Sequence, residues 1–143
     1  MEIADGLEIP PRKVAYLKYI FACKGPVRTS DIATEFGVDP SSVTKTLAEL
    51  AAGNLLDHEP YHGVSLSDRG RQYAEFFIKR HRILVLALTH YGLSDEQACT
   101  EVSRFESLVS KDAIDRMCHT MGHPRRSGCG EITHDKGCLD HAR

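Results

Sequence analysis

The sequence predicts a mostly α-helical chain with an N-terminal winged helix-turn-helix, a helical second half and a Cys/His-rich C-terminal tail. Three observations carry this fold class. Two short amphipathic helices around a tight turn fit TSDIATEFGVDPSSVTKTLAEL, Thr29 to Leu50. A hairpin, LLDHEPYHGVSLS, follows directly, and helix, helix, hairpin is the order of a winged helix. A long apolar helix and two shorter amphipathic ones come next.

Residues 1–10 read as a flexible arm ending at Pro10-Pro11. Helix 1 is expected over Arg12–Cys23, with Val14, Leu17, Ile20 and Phe21 on one side at helical spacing. Gly25-Pro26 breaks it, and Thr29 or Ser30 caps helix 2. Ile32, Ala33 and Phe36 form an apolar face that Gly37 closes, since glycine is free to take positive φ. Asp39 caps the next helix and Pro40 fits its first turn. Val43, Leu47 and Leu50 recur at spacings of four and three, so that face is buried. The opposite face carries Ser41, Ser42, Thr44 and Lys45 near a helix N-terminus, short hydroxyls and a cation that suit a DNA major groove. A helical hairpin with a merely solvated face is the competing reading of this stretch alone. Arg28 and Thr29 lead into the helix pair, and Tyr61 and His62 sit at the wing tip, over a minor groove or phosphate backbone.

Ser67 or Asp68 caps the long helix, which reaches Gly92. Its run Ile83–Leu88 is apolar on all sides, which calls for a second packing surface, most simply another subunit. Ser94 with Gln97 makes a capping box for a helix to Val109, and a last helix spans Ser110–Met121. The tail after Gly122 reads as loop.

Composition bounds the function. The 143 residues are 41% hydrophobic and 27% charged, as in ordinary globular proteins. There is no membrane-length apolar run and no signal-peptide core, which predicts a cytoplasmic protein with no membrane partner. In that compartment the five cysteines are thiols or ligands rather than disulfides. The net charge of -2 confines any nucleic-acid surface to a local patch. No nucleophile–base pair, phosphate loop or spaced acid pair points to an enzyme.

GPVRTSDIATEFGVDPSSVTKTLAEL, then EPYHGVSLSDRGR, then KRHRILV resembles, in that order, the diphtheria-toxin-repressor family of metal-dependent regulators, including its manganese-transport-regulator branch. The likeness covers about Arg12 to Met121. It implies a transcriptional regulator, a homodimer on a double-stranded palindromic operator with metal as co-repressor, and Ser41, Ser42, Thr44 and Lys45 facing DNA. It divides the chain into a DNA-binding domain (1–71), a helical dimerisation domain (72–121) and the tail (122–143). Of the metal ligands it implies, His81 and Glu106 survive and Cys99 stands where some members have histidine. Ala15, Lys18, Val85, Ser103 and Ser107 replace the others, too few donors remaining for a six-coordinate manganese or ferrous site.

A different constellation fills the end of the chain. Cys118, His119, His123, Cys129, His134, Cys138 and His141 all lie there. Cys99, Cys118, Cys129 and Cys138 supply four thiols, which suit an iron–sulfur cluster, or alternatively Zn2+ or Fe2+. His81, Glu106, His123 and His134 are further candidate ligands. The expected function is a repressor sensing a metal or cluster. A metal-buffering protein on a winged-helix scaffold is the alternative, and it leaves the recognition helix unexplained.

Overall fold

The computed structural model describes Ile3 and residues 5–140. Two compact units divide the described residues: Pro11–Ala74 in one, and Ile3, residues 5–10 and residues 75–140 in the other.

The first unit holds α1 (Pro11–Cys23), α2 (Thr29–Phe36), α3 (Pro40–Ala52), β1 (Leu56–Glu59), β2 (Gly63–Leu66) and the opening turns of α4 (Asp68–Thr89). Val14, Leu17 and Ile20 are buried, as their spacing requires, but Phe21 is half-exposed. Tyr16 takes the buried place, its ring 4.9 Å from that of Phe36. Gly37 ends α2 in the left-handed region (φ 62), its N–H reaching back to the carbonyls of Ala33 and Thr34. Two caps differ from expectation. Arg28, not Thr29 or Ser30, is the N-cap of α2, and Asp31 compensates by accepting the Arg28 backbone N–H. Asp39 precedes Pro40 as expected, but its carboxylate makes no capping bond. Val43, Leu47 and Leu50 are buried on α3.

The two wing strands pair antiparallel, Leu56 opposite Leu66 and Glu59 opposite Gly63. Val27 adds to the base of the wing, exchanging two backbone hydrogen bonds with Val64 at 2.8 and 2.9 Å. A Cβ on Gly63 would stand 2.2 Å from the Val27 carbonyl oxygen, so only glycine lets that segment close on the hairpin.

The second unit contains the rest of α4, then α5 (Asp95–Phe105), a 3-10 turn (Glu106–Leu108), α6 (Lys111–Thr120), β3 (Arg126–Ser127), β4 (Gly130–Glu131) and α7 (Lys136–Asp140). The Ser94–Gln97 capping box forms in both directions, at 3.0 and 3.1 Å. Ser110 caps α6 through the Ala113 N–H. Phe77, Ile83, Val85, Ala98, Val102 and Ile114 are fully buried in this unit.

Four expectations are corrected here. The expected flexible arm is anchored at some of its described residues, residues 1, 2 and 4 lying outside them: Ile3 is buried, the Lys111 N–H donates to the Asp5 carbonyl, and the buried Arg80 guanidinium donates to the Gly6 carbonyl. The all-apolar run is covered unevenly. Ile83, Leu84 and Val85 are buried by the chain's own helices, leaving only Leu86–Leu88 half-exposed. The α5 helix stops at Phe105, four residues before Val109, because the chain tightens into a 3-10 turn that buries Glu106. The tail is not all loop: a two-residue-per-strand hairpin and α7 shape it, although His141 lies outside the described residues.

Candidate metal centre and nucleic-acid interface

In the first unit, the exposed end of α3 presents Ser41, Thr44 and Lys45, with Ser42 half-buried beside them. Thr44 Oγ1 donates to the Pro40 carbonyl, which fixes its rotamer. Thr29 opens α2, and His62 is exposed in the wing turn. Arg28 does more than lead into the helix: its guanidinium donates to the Tyr61 carbonyl at 3.2 Å, tying the start of α2 to the wing tip. Tyr61 itself is 94% exposed and holds φ 67, a conformation that costs a non-glycine residue about 1–3 kcal/mol.

In the second unit the four cysteines do not converge on one point. Two separate groups form among the described residues. One is His81, Cys99 and Cys129; the other is Cys118, His123, His134 and Cys138. The fold mixes thiol with imidazole where the sequence suggested thiol with thiol, so no four-thiolate cradle for an iron–sulfur cluster is built there.

The three-donor group draws on three elements. His81 comes from α4, and its Nε2 lies 3.1 Å from the Cys99 sulfur on α5. Its Nδ1 lies 2.6 Å from Glu106, so a buried carboxylate fixes the ring. This is the arrangement by which a carboxylate orients a metal-ligating histidine. Cys129 arrives from the turn between β3 and β4, where burial first, and Cys99 next, hold its thiol above the ordinary cysteine range. The Arg82 guanidinium donates to the Glu131 carbonyl and holds that hairpin against α4. Val85 is buried in the core and Ser103 returns its hydroxyl to the Cys99 carbonyl, so neither supplies a further donor.

The four-donor group is built from local chain reversals. After α6, His123 takes φ 52 and its N–H closes on the Cys118 carbonyl at 2.8 Å, folding the ring back over the Cys118 sulfur. Asp135 accepts the Cys138 N–H at 2.7 Å and starts α7, placing Cys138 one turn beyond His134. The His134 Nε2–H donates to the Pro124 carbonyl, which leaves Nδ1 free to face the sulfurs. Burial pushes the Cys118 thiol up to about 12 against the opposing pull of Lys79, and burial, then Lys79, lowers His134.

Sequence reasoning named every one of these donors but missed their grouping and their frame. Cys118 and His123 are five apart, and His134 and Cys138 four apart, two mirrored Cys/His pairs that a search for close cysteine pairs passes over. It also missed Asp115, buried between the ammonium groups of Lys79 (3.4 Å) and Lys111 (2.7 Å), with Lys111 reaching on to Asp135 at 3.0 Å.

A winged helix followed by a helical unit that gathers thiol and imidazole donors defines a DNA-binding protein equipped to hold metal. Sequence comparison narrows the class. The model described as iron-dependent repressor, N-terminal DNA-binding domain, matches residues 10–64. The one described as iron-dependent repressor, metal-binding and dimerisation domain, matches residues 67–133. The chain belongs to the iron-dependent repressor family. The HTH-type transcriptional regulator MntR of Geobacillus kaustophilus is 36% identical over 110 residues, 75% of this chain and 78% of that protein. Among solved structures, the hypothetical protein SSo2273 from Sulfolobus solfataricus superposes with a TM-score of 0.78 at 25% identity, covering 88% of this chain and 100% of that one. A manganese-dependent transcriptional repressor in complex with manganese gives 0.69 at 26% identity, covering 87% of this chain; the match spans 63% of that longer chain. ScaR with bound Zn2+ gives 0.73 at 26%, with the same two coverages.

Proposed function

We propose that this protein is a sequence-specific transcriptional repressor that binds operator DNA as a homodimer and responds to a divalent metal held by His81, Cys99 and Cys129. The observation that supports this most is the three-donor group: one imidazole, oriented by Glu106, and two thiols from separate elements, with no fourth protein donor among the described residues. A set left open in this way suits a metal that comes and goes, because exchange needs an open coordination position. Two thiolates and an imidazole favour Zn2+ or Fe2+ over Mn2+, which prefers oxygen donors. His81 of α4, Cys99 of α5 and Cys129 of the β3–β4 hairpin would hold the ion, which would supply the positive charge that neutralises two thiolates. An iron–sulfur cluster has no comparable support. Metal buffering alone would leave Ser41, Thr44, Lys45 and the wing tip without a use.

Operator binding measured on promoter DNA, with and without Zn2+ or Fe2+, tests the reading. Lys45→Glu should weaken binding by about 1–3 kcal/mol and flatten its salt dependence, with the fold unchanged. Cys99→Ala should leave metal-free DNA affinity alone and erase the response to metal. A parent protein without salt-dependent DNA binding would be a buffer, and an undiminished metal response in Cys99→Ala would place the sensor elsewhere.

Dimerisation has its own support. Leu86, Ala87 and Leu88 are half-exposed at the end of α4, beside Tyr91, which is 79% exposed. Two grooves flank them, one lined by Leu88, Leu93 and Phe105, the other by Leu86, Met117 and Met121. Such contiguous apolar surface marks an interface. Light scattering of the parent should give twice the chain mass. Leu88→Glu should give folded monomers, and an unaltered dimer would move the interface off this face.

A further inference from the structure

We propose that Cys118, His123, His134 and Cys138 form a second, closed metal site that holds a structural zinc ion, independently of whether His81, Cys99 and Cys129 bind metal. The four donor atoms, two sulfurs and two Nδ1 nitrogens, all lie within 4.8 Å of one another. Each sulfur meets both nitrogens: 3.5 and 3.4 Å from Cys118, 3.6 and 3.7 Å from Cys138. A tetrahedral zinc ion, with bonds of about 2.0–2.1 Å to nitrogen and 2.3 Å to sulfur, sets neighbouring donors about 3.3–3.8 Å apart. All four measured separations fall in that window.

Hydrogen bonding alone accounts poorly for the cluster. His134 has its proton on Nε2, where it donates to Pro124, so its Nδ1 is a bare lone pair. Each thiol brings one proton, and His123 brings one more at most. Four sulfur–nitrogen approaches therefore share at most three protons, so hydrogen bonds alone could serve all four only by splitting one proton between two acceptors. A cation at the centre satisfies all four at once. With a metal on Nδ1 the His123 proton would sit on Nε2, which is buried without a hydrogen-bond partner, a cost that the metal–nitrogen bond has to exceed. The left-handed backbone of His123 is a second such cost, and local strain of this kind concentrates at functional sites. Two thiolates and two imidazoles in a closed tetrahedron are a structural zinc set. Cys118 and Cys138 are fully buried, so the ion would be shielded from exchange. His123 and His134 bracket the β3–β4 hairpin, so the zinc would fasten both ends of the segment that carries Cys129.

The test reads retained metal in the whole 143-residue chain and makes no use of DNA binding. Zinc-loaded protein is dialysed against a chelator and analysed by native mass spectrometry and metal assay. One chelator-resistant zinc per chain should remain in the parent, in Cys129→Ser and in Cys99→Ser, and should be lost from Cys138→Ser. Replacement by Co2+ should give tetrahedral ligand-field bands with thiolate charge transfer. His134→Cys should keep the metal and intensify the charge transfer, because a third thiolate replaces an imidazole; this variant guards against loss through misfolding. Complete release of zinc from the parent, or its loss from Cys129→Ser with retention in Cys138→Ser, would overturn the proposal.

Discussion

Replacing Asp115 by alanine should destabilise the helical unit by about 3–5 kcal/mol, the usual result of removing one partner from a buried ion pair. Asp115 is the shared counter-charge of Lys79 and Lys111, and the Lys79 side chain is only 5% exposed. Lys111 keeps Asp135 in the variant, but the Lys79 ammonium is left buried without its carboxylate. Lys79→Met combined with Asp115→Leu should recover most of the loss, because a hydrophobic pair of similar volume avoids desolvating charge. Urea denaturation at fixed metal concentration measures both. A cost below about 1 kcal/mol for the alanine variant would mean that water reaches Lys79 and that the pair behaves as a surface one.

The second large effect is expected in the wing. Gly63→Ala should cost about 3 kcal/mol and weaken operator binding, by strain and by clash together. Gly63 has φ 109, which side chains rarely adopt, and its new Cβ would collide with the Val27 and Arg28 backbone. Relief requires Val27 to move, which breaks the two hydrogen bonds to Val64. Backbone exchange of the Val27 and Val64 amides should quicken, with α6 protection unaffected. Parental exchange rates at both amides would show that the wing base adapts without opening.

Most of the helical frame was legible because its signals are local and repeat. Val43, Leu47 and Leu50 mark a face, Gly37 marks an end, and Val64, Ser65 and Leu66 alternate over a strand. The tail was not legible for a physical reason. Strands of two residues and a five-residue helix span too little chain for a pattern to repeat twice, and their shape comes from bonds such as Asp135 to Cys138 and Arg82 to Glu131. The donors were identifiable as residue types, but grouping like with like put four cysteines together. The fold instead brings Cys118 to His123 and Cys99 to His81, through chain reversals that composition does not encode. Periodicity likewise exposed the need to bury Ile83–Leu88 without saying that the same chain covers its first half. The resemblance carried the function and the dimer further than the residues alone.

The hydrogen bond from Arg28 to Tyr61 bears on how the wing would meet a duplex at the proposed interface. A free hairpin tip loses conformational entropy when it docks, at about 0.5–1.5 kcal/mol for each side chain immobilised. Here the tip is tethered at Tyr61 and the base is latched at Val27, so much of that ordering takes place during folding. At the proposed DNA interface, encounter would then ask for little rearrangement, and a stiff wing would discriminate by groove shape as well as by charge. Cutting the tether with Arg28→Ala would return the tip to a searching loop and shift the penalty from folding to docking.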